Sequence, residues 1–409
     1  MLRPLEHLLR KSQARREWEL WQRLQRSGLP IVRHIAAGER RSGGLLREAV
    51  LVTEGFPGVP LNEADNVRWP SVLALIRQMH DCGVLHRDLH PANILVQPKT
   101  GELCLVDLKG IVLKKRISRV ERERNLALLR ISVPIPVADN VRQLSKRIRR
   151  RAYYRRSYRC LKHNREFDTV TLNGLRWHVR LPYVNPRIGA LLEDPETIRL
   201  ADTPPLQCGR SSSVMVCGEF VIKRFHHRRL LSRFGEMVSS SRARRAYRKA
   251  YHLELLGIPT PHPIATATRR SLRYLSRSYL ITERVDQARD LHQYLRETGH
   301  PDTEVIRHLA QMIAGLHEEG FSHSDLDASN ILVDARGQCW LIDPGALRFV
   351  QYVSDARATA DLRRLQRAVQ LEPREYRRAA FIFLRQYLRL RGRISWTRVR
   401  RQGGRHAGQ

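Results

Sequence analysis

The sequence predicts an α+β protein built as two related units in tandem, the first lacking most of its amino-terminal lobe. Three observations carry that prediction: an eleven-residue segment occurs twice, each copy follows a helix of the same pattern, and each precedes a short strand ending in aspartate. A repeat of this length means two copies of one fold rather than chance likeness.

The segments are His86-Arg87-Asp88-Leu89-His90-Pro91-Ala92-Asn93-Ile94-Leu95-Val96 and His323-Ser324-Asp325-Leu326-Asp327-Ala328-Ser329-Asn330-Ile331-Leu332-Val333, at an offset of 323 − 86 = 237. Apolar residues at helical spacing precede them: Val72, Leu75, Ile76 and Met79, then Ile306, Leu309, Met312, Ile313 and Leu316. Gly83 and Gly320 stand where a left-handed cap would end each helix. The strands Leu105-Val106-Asp107 and Leu341-Ile342-Asp343 follow, at an offset of 343 − 107 = 236. Upstream, a helix-like stretch ends in Gly-aliphatic-Pro in both copies: Ser12 to Glu17 leads to Gly28-Leu29-Pro30, and Ser241 to Ala246 leads to Gly257-Ile258-Pro259.

At 409 residues, 42% hydrophobic and 28% charged, the chain has the composition of a folded protein with room for two cores. Its outlying property is a net charge of +34, from 74 Lys+Arg against 40 Asp+Glu. Such a field favours polyanions, among them nucleic acid, an anionic membrane leaflet or a phosphorylated glycolipid. No apolar run reaches the ~18 residues of a membrane span and no secretory pattern follows Met1, so a cytoplasmic protein resting on the inner face of the membrane is expected. The six cysteines form no CxxC pair, which argues against a zinc site or a disulfide framework.

These landmarks divide the chain into a first unit at 1–145, a basic linker at 146–165, a second unit at 166–397 and a disordered basic tail at 398–409. The linker interleaves Lys146, Arg147 and Arg149–Arg151 with Tyr153, Tyr154 and Tyr158, a pattern that suits a solvated helix face or connection as well as a binding surface.

An aspartate followed five positions later by an asparagine, on a loop between a helix and a strand that leads to a second aspartate, suits metal-assisted phosphoryl transfer. The first aspartate orients the attacking hydroxyl; the asparagine and the last aspartate hold Mg²⁺ against nucleotide phosphates. Asp88, Asn93 and Asp107 meet that spacing, as do Asp325, Asn330 and Asp343. The second copy adds a predicted hairpin, Gly209 to Val216 and Phe220 to Lys223, turning at Cys217-Gly218. Lys223 is placed to contact the phosphates of ATP and the Gly209 loop to cover them. Tyr279-Leu280-Ile281-Thr282-Glu283, like Val50 to Glu54, fits a strand entering the hinge where adenine binds, which makes Glu283 a candidate.

Together these residues resemble the lipopolysaccharide kinase (Kdo/heptose kinase) family. The second copy does so through Gly209 to Lys223, Ser241 to Pro259, Ser278 to Glu283, His323-Ser324-Asp325-Leu326 and Leu341-Ile342-Asp343; the first resembles another branch through Ala14-Arg15-Arg16-Glu17-Trp18, His86 to Asn93 and Val106-Asp107-Leu108. The resemblance implies a protein-kinase-like fold, ATP and Mg²⁺, and a heptose or Kdo hydroxyl of the inner core as acceptor. Asp325 and Asp88 are then the catalytic candidates, Gly209, Lys223, Glu283 and Glu17 the nucleotide-binding ones, and Asn330, Asp343, Asn93 and Asp107 the metal ligands.

Some positions depart from the family pattern. Ala246 stands where the first copy has Glu17, the residue expected to pair with a lysine such as Lys223; the first copy keeps Glu17 but has neither glycine loop nor strand lysine. Ser324, Asp327 and Pro344 also depart. Either more protein precedes Met1 or the first copy has lost catalysis and serves the second. The expected partners are the lipopolysaccharide core and an anionic membrane surface, with no nucleic acid, since no nucleic-acid motif appears. Rival readings are a protein Ser/Thr or small-molecule kinase, and a catalytically dead scaffold.

Overall fold

The computed structural model describes residues 11–196, 207–208, 211–226, 240–271, 274–369 and 371–391. The chain forms two compact units, Met1–Arg149 and Arg150–Gln409.

In the first unit, helix α1 (Gln13–Leu24) is capped by Ser12, whose hydroxyl accepts from the Arg15 N–H at 3.0 Å. It packs on an antiparallel hairpin of β1 (His34–Ser42) and β2 (Leu45–Thr53), with Trp21 stacked on His34 at 5.6 Å between centroids. After β3 (Val59–Pro60), helix α2 (Trp69–Asp81) buries Val72, Leu75, Ile76 and Met79, the stripe its spacing predicts. Four short strands follow, β4 (Val84–His86), β5 (Ile94–Val96), β6 (Leu103–Leu105) and β7 (Ile111–Leu113), then α3 (Arg119–Ser132) and α4 (Asp139–Arg156). Strand β4 pairs with β7, and β5 lies between β3 and β6, so the Asp88–Asn93 loop is held at both ends by sheet. Among the described residues this unit's small lobe consists of α1 and one hairpin.

The second unit has the two lobes expected of a protein-kinase-like fold. Its small lobe is a seven-stranded sheet in the order β10-β11-β12-β14-β13-β9-β8, formed by β8 (Phe167–Leu172), β9 (Leu175–Arg180), β10 (Gln207–Cys208), β11 (Ser212–Cys217), β12 (Phe220–Phe225), β13 (Pro263–Ser271) and β14 (Tyr274–Glu283). Helix α5 (Pro186–Glu193) packs in the sheet's apolar core. Helix α6 (Arg242–Leu255) packs on β13 and β14. There Tyr247 and Tyr251 are buried with Phe167 and Leu280.

The large lobe holds β15 (Arg289–Asp290), α7 (Leu291–Thr298), α8 (Thr303–Glu318), β16 (Phe321–His323), β17 (Ile331–Val333), β18 (Cys339–Leu341), β19 (Leu347–Phe349), α9 (Asp355–Ala368) and α10 (Pro373–Arg391). Helix α8 buries Ile306, Leu309, Met312, Ile313 and Leu316 as predicted, against β16, β18 and α10.

The duplication extends to irregularities of the backbone. The β1–β2 ladder shifts register between His34 and Ala36 and between Arg40 and Arg41; the β13–β14 ladder shifts between Pro263 and Ala265 and between Arg269 and Arg270. Every pair lies at the same offset, 263 − 34 = 229. Bulges are placed features of a fold rather than noise, so their coincidence marks the two hairpins as one element used twice. Gly83 and Gly320 have φ of 73° and 83°, and a side chain at either would collide with backbone, of Lys114 or of Gln351, where the following strand crosses.

The basic segment 146–165, read from sequence as a linker, is different in the structure. It is helical to Arg156 and continues as a 3-10 turn over Ser157–Leu161, and the boundary between the units falls inside α4. Its tyrosines are the reason. Tyr154 stacks on Phe349 at 4.8 Å, and the Arg248 guanidinium lies 4.9 Å from the Tyr154 ring and 4.2 Å from the Tyr158 ring. Aromatic residues four apart on a helix share a face, and here that face grips α6 and β19.

Candidate active site

Both copies build the loop in the same way. The Asn93 side-chain amide donates to the Asp88 carbonyl at 3.1 Å, and that of Asn330 to the Asp325 carbonyl at 3.0 Å. Each asparagine locks the turn with its nitrogen and keeps its oxygen for another partner. The Asp88 and Asp325 side chains are exposed, and neither accepts a hydrogen bond among the described residues. A carboxylate held on a fixed backbone and open to solvent is suited to an incoming hydroxyl.

Beneath each loop lies a buried histidine. The His323 ring accepts the Asp325 N–H at 3.3 Å, and the His86 ring meets the Asp107 carbonyl at 3.1 Å. Burial pushes both imidazoles down, so they are neutral struts of the loop rather than proton carriers at neutral pH.

A residue that sequence reasoning passed over anchors this strut. The Asp361 carboxylate, 1% exposed, accepts the His323 N–H at 2.8 Å, the Ser322 hydroxyl at 3.3 Å and an Arg364 N–H at 2.9 Å, and meets the His317 ring at 3.3 Å. Burial alone would raise its pKa; the bonds from His317 and the His323 N–H outweigh burial and hold it below the ordinary carboxylate value. In the first unit Asn125 takes this place, meeting His80 at 3.1 Å and donating to the His86 carbonyl at 2.5 Å. The signal was present in the sequence: 361 − 125 = 236 and 317 − 80 = 237 continue the repeat offsets.

The aspartates after the loops share an uncommon backbone. Asp107 and Asp343 have φ of 55° and 52°, a left-handed conformation that costs a non-glycine residue about 1–3 kcal/mol and persists where the surroundings impose it. Beyond this point the copies diverge. In the second unit the predicted hairpin forms, with β11 and β12 paired from Ser212↔Phe225 to Cys217↔Phe220. It brings the Lys223 ammonium to 2.7 Å from the Asp343 carboxylate. The pair sits in a cavity of ≈ 260 Å³ whose lining includes Ser211, Ser212, Arg242 and Arg245. Gly209 lies outside the described residues. Glu283 ends β14, its N–H donating to the His262 carbonyl at 2.9 Å, and is not among the residues lining that cavity.

In the first unit Glu17 meets no lysine among the described residues: its carboxylate accepts from the Gln13 side chain at 2.8 Å, one turn back on α1. The Asp107 carboxylate accepts the Lys109 N–H at 3.3 Å, capping its own turn. Lys249 on α6 was also missed, and it donates to the Gly345 carbonyl at 2.6 Å, bracing the turn after Asp343. Burial, with Arg245 and Arg248 adding repulsion, pushes its pKa down to about 8.

Asn330 and Asp343 offer one amide oxygen and one carboxylate. That donor set fits Mg²⁺, which takes one or two protein ligands and completes its shell with water and substrate phosphates. Among the described residues no group of three or more His, Cys, Asp or Glu could hold a metal without such help.

The profile of the lipopolysaccharide kinase (Kdo/WaaP) family matches residues 2–153 and again 217–387. The chain belongs to that family. Its Kdo/WaaP character extends over both units, so the tandem repeat is a repeat of the family's own fold. Curated relatives include the 3-deoxy-D-manno-octulosonic acid kinases of Photobacterium profundum, 33% identical over 145 residues, and of Vibrio cholerae serotype O1, 30% identical over 148. These matches take in 33% and 34% of this chain and 60% and 61% of the relatives, so the chain spans about three fifths of their length. Among solved structures, WaaP in complex with acyl carrier protein is 19% identical with a TM-score of 0.38, covering 54% of this chain and 92% of that one. WbdD is 18% identical with a TM-score of 0.31, covering 48% of each.

Proposed function

We propose that the second unit is an ATP-dependent kinase that phosphorylates a heptose or Kdo hydroxyl of the lipopolysaccharide inner core. The observation that carries this reading is the Lys223–Asp343 pair at 2.7 Å, on a strained aspartate that follows the Asp325–Asn330 loop. Asp325 orients the sugar hydroxyl and receives its proton as the oxygen attacks the γ-phosphorus; the bond from that phosphorus to the β–γ bridging oxygen breaks and ADP leaves. Lys223 leaves Asp343 for the α- and β-phosphates when nucleotide enters, and Asn330 and Asp343 hold Mg²⁺. The metal, when bound, offsets charge on the transferring phosphoryl group.

The first unit, with its loop intact and no lysine facing Asp107 among the described residues, serves as a non-catalytic partner. The net charge of +34 suits a phosphorylated glycolipid at an anionic inner leaflet, and no helix among the described residues is long and apolar enough to cross a membrane. The test is ATP consumption by the purified protein with inner-core oligosaccharides, followed by mass spectrometry to locate the added phosphate. ADP release that requires oligosaccharide and yields a phosphosugar supports the reading; ATP turnover indifferent to every core sugar refutes the acceptor.

A further inference from the structure

The helix beside Lys223 lacks the expected glutamate. Where α1 carries Glu17, α6 carries Ala246, fully buried, so no carboxylate of the helix is offered to the lysine there. The side chains of α6 that reach the cavity are Arg242 and Arg245, one turn apart. The cavity thus gathers Lys223, Arg242 and Arg245 around one carboxylate, Asp343, and that carboxylate is already paired with the lysine. Arg245 donates to the Ser240 carbonyl at 2.9 Å, and Arg242 makes no ion pair among the described residues.

The other end of α6 shows how this chain treats a cation it means to neutralise. Arg180 is held between Glu254 and Glu166, each at 2.8 Å, against the rings of Tyr183 and Phe167. Two guanidiniums that share a cavity repel, and the repulsion strengthens as solvent is displaced. An anion entering between them removes that cost and gains charge-assisted hydrogen bonds, with the Ser211 and Ser212 hydroxyls as further donors in the same cavity.

We propose that Arg242 and Arg245 bind the terminal phosphates of a nucleoside triphosphate, and that with Lys223 they form a three-cation subsite in place of a lysine–glutamate pair. The inference rests on the kinase reading of the second unit and adds the residues that select the phosphate chain. With Lys249 bracing the Gly345 carbonyl, the same face of α6 both fixes the turn after Asp343 and supplies charge to the substrate.

Calorimetric titration of the full chain with ATP, ADP and adenosine, in wild type and in the double variant R242Q/R245Q, tests it. Loss of two charge-assisted contacts should weaken ATP by about 10- to 100-fold, ADP by less and adenosine not at all, at an unchanged melting temperature. R242K/R245K should recover part of the ATP affinity, since charge returns without the planar fork. Equal weakening of all three ligands, or ATP affinity within a factor of two of wild type, overturns the subsite. An unchanged ATP affinity with a raised KM for oligosaccharide also overturns it, assigning the arginines to the acceptor. Wild-type protein that binds no ATP overturns the kinase reading and this subsite together, which separates the two failures.

Discussion

The two loops of this chain share a geometry and differ in what surrounds it. Asn93 and Asn330 make the same bond to within 0.1 Å, 3.1 against 3.0, and Asp107 and Asp343 hold the same left-handed backbone. Yet one aspartate faces a lysine and the other caps its own turn. The large lobe therefore builds the loop by itself, from a buried histidine, a helix and two short sheets, whether or not a nucleotide-gripping strand is present. The anchors differ as well: His80 with Asn125 is a neutral pair, whereas His317 with Asp361 includes a buried carboxylate with several donors. The neutral anchor holds its loop through the His86 carbonyl; the charged one, on α9, takes up the His323 N–H and is itself braced by Arg364 on the same helix.

Removing the same carboxylate from each loop separates the two units most widely. Asp325→Ala should lower phosphotransfer by about 10²–10⁴-fold, while Asp88→Ala should stay within a few-fold of wild type, read as initial rates of phosphosugar formation. Equal losses would make both units catalytic.

The anchors come next. Asp361→Ala leaves the partners of a buried carboxylate unsatisfied and should cost about 3–5 kcal/mol in denaturant unfolding of the second unit. Asn125→Ala should cost the first unit about 1–3 kcal/mol. Asp361→Asn, which installs the first unit's residue, should lose less than Asp361→Ala; equal losses would mean that charge and donor geometry count for nothing there.

The smallest effect is on the acid limb. Burial, and then nearby arginines, push His252 down to about 3 and His178 down to about 4. Both stay neutral in the fold while the unfolded chain takes up protons below the usual histidine value of ~6.5. Their contribution is therefore present above about pH 6.5 and lost as pH falls toward 4 and then 3. Melting temperature followed across that window should fall, and His252→Gln should flatten the fall; an unchanged slope would place the acid sensitivity elsewhere.

Glu17 shows where reading the sequence stopped short. A glutamate on a helix ahead of an Asp-x4-Asn loop looks like half of an ion pair; the sequence already lacked the strand lysine beside it, and only the structure gives the partner taken instead, Gln13 one turn back. Glu283 is similar: its strand was legible from alternation, but its distance from the cavity depends on how β14 lies beside β12. Asp361 and Asn125 were hidden for another reason. They lie 31 and 32 residues beyond Asn330 and Asn93, the last polar residues of the loops they hold, on helices whose residue types carry no motif.

What the sequence determined by itself is whatever repeats or alternates. The two copies, the buried stripes of α2 and α8, the β11–β12 hairpin and the Asp-x4-Asn loops follow from local periodicity and from residues whose spacing fixes a turn, which are properties of a short stretch of chain. Tertiary structure alone decided which charges meet. Lys223 found Asp343 because β12 and the turn after β18 approach one another, and the basic tyrosine-bearing segment became helix because Tyr154 and Tyr158 had Phe349 and Arg248 to pack on. Electrostatic and aromatic partners are chosen by distance in space, and contacts between residues up to about two hundred positions apart are fixed only when the sheet and helices have closed around them.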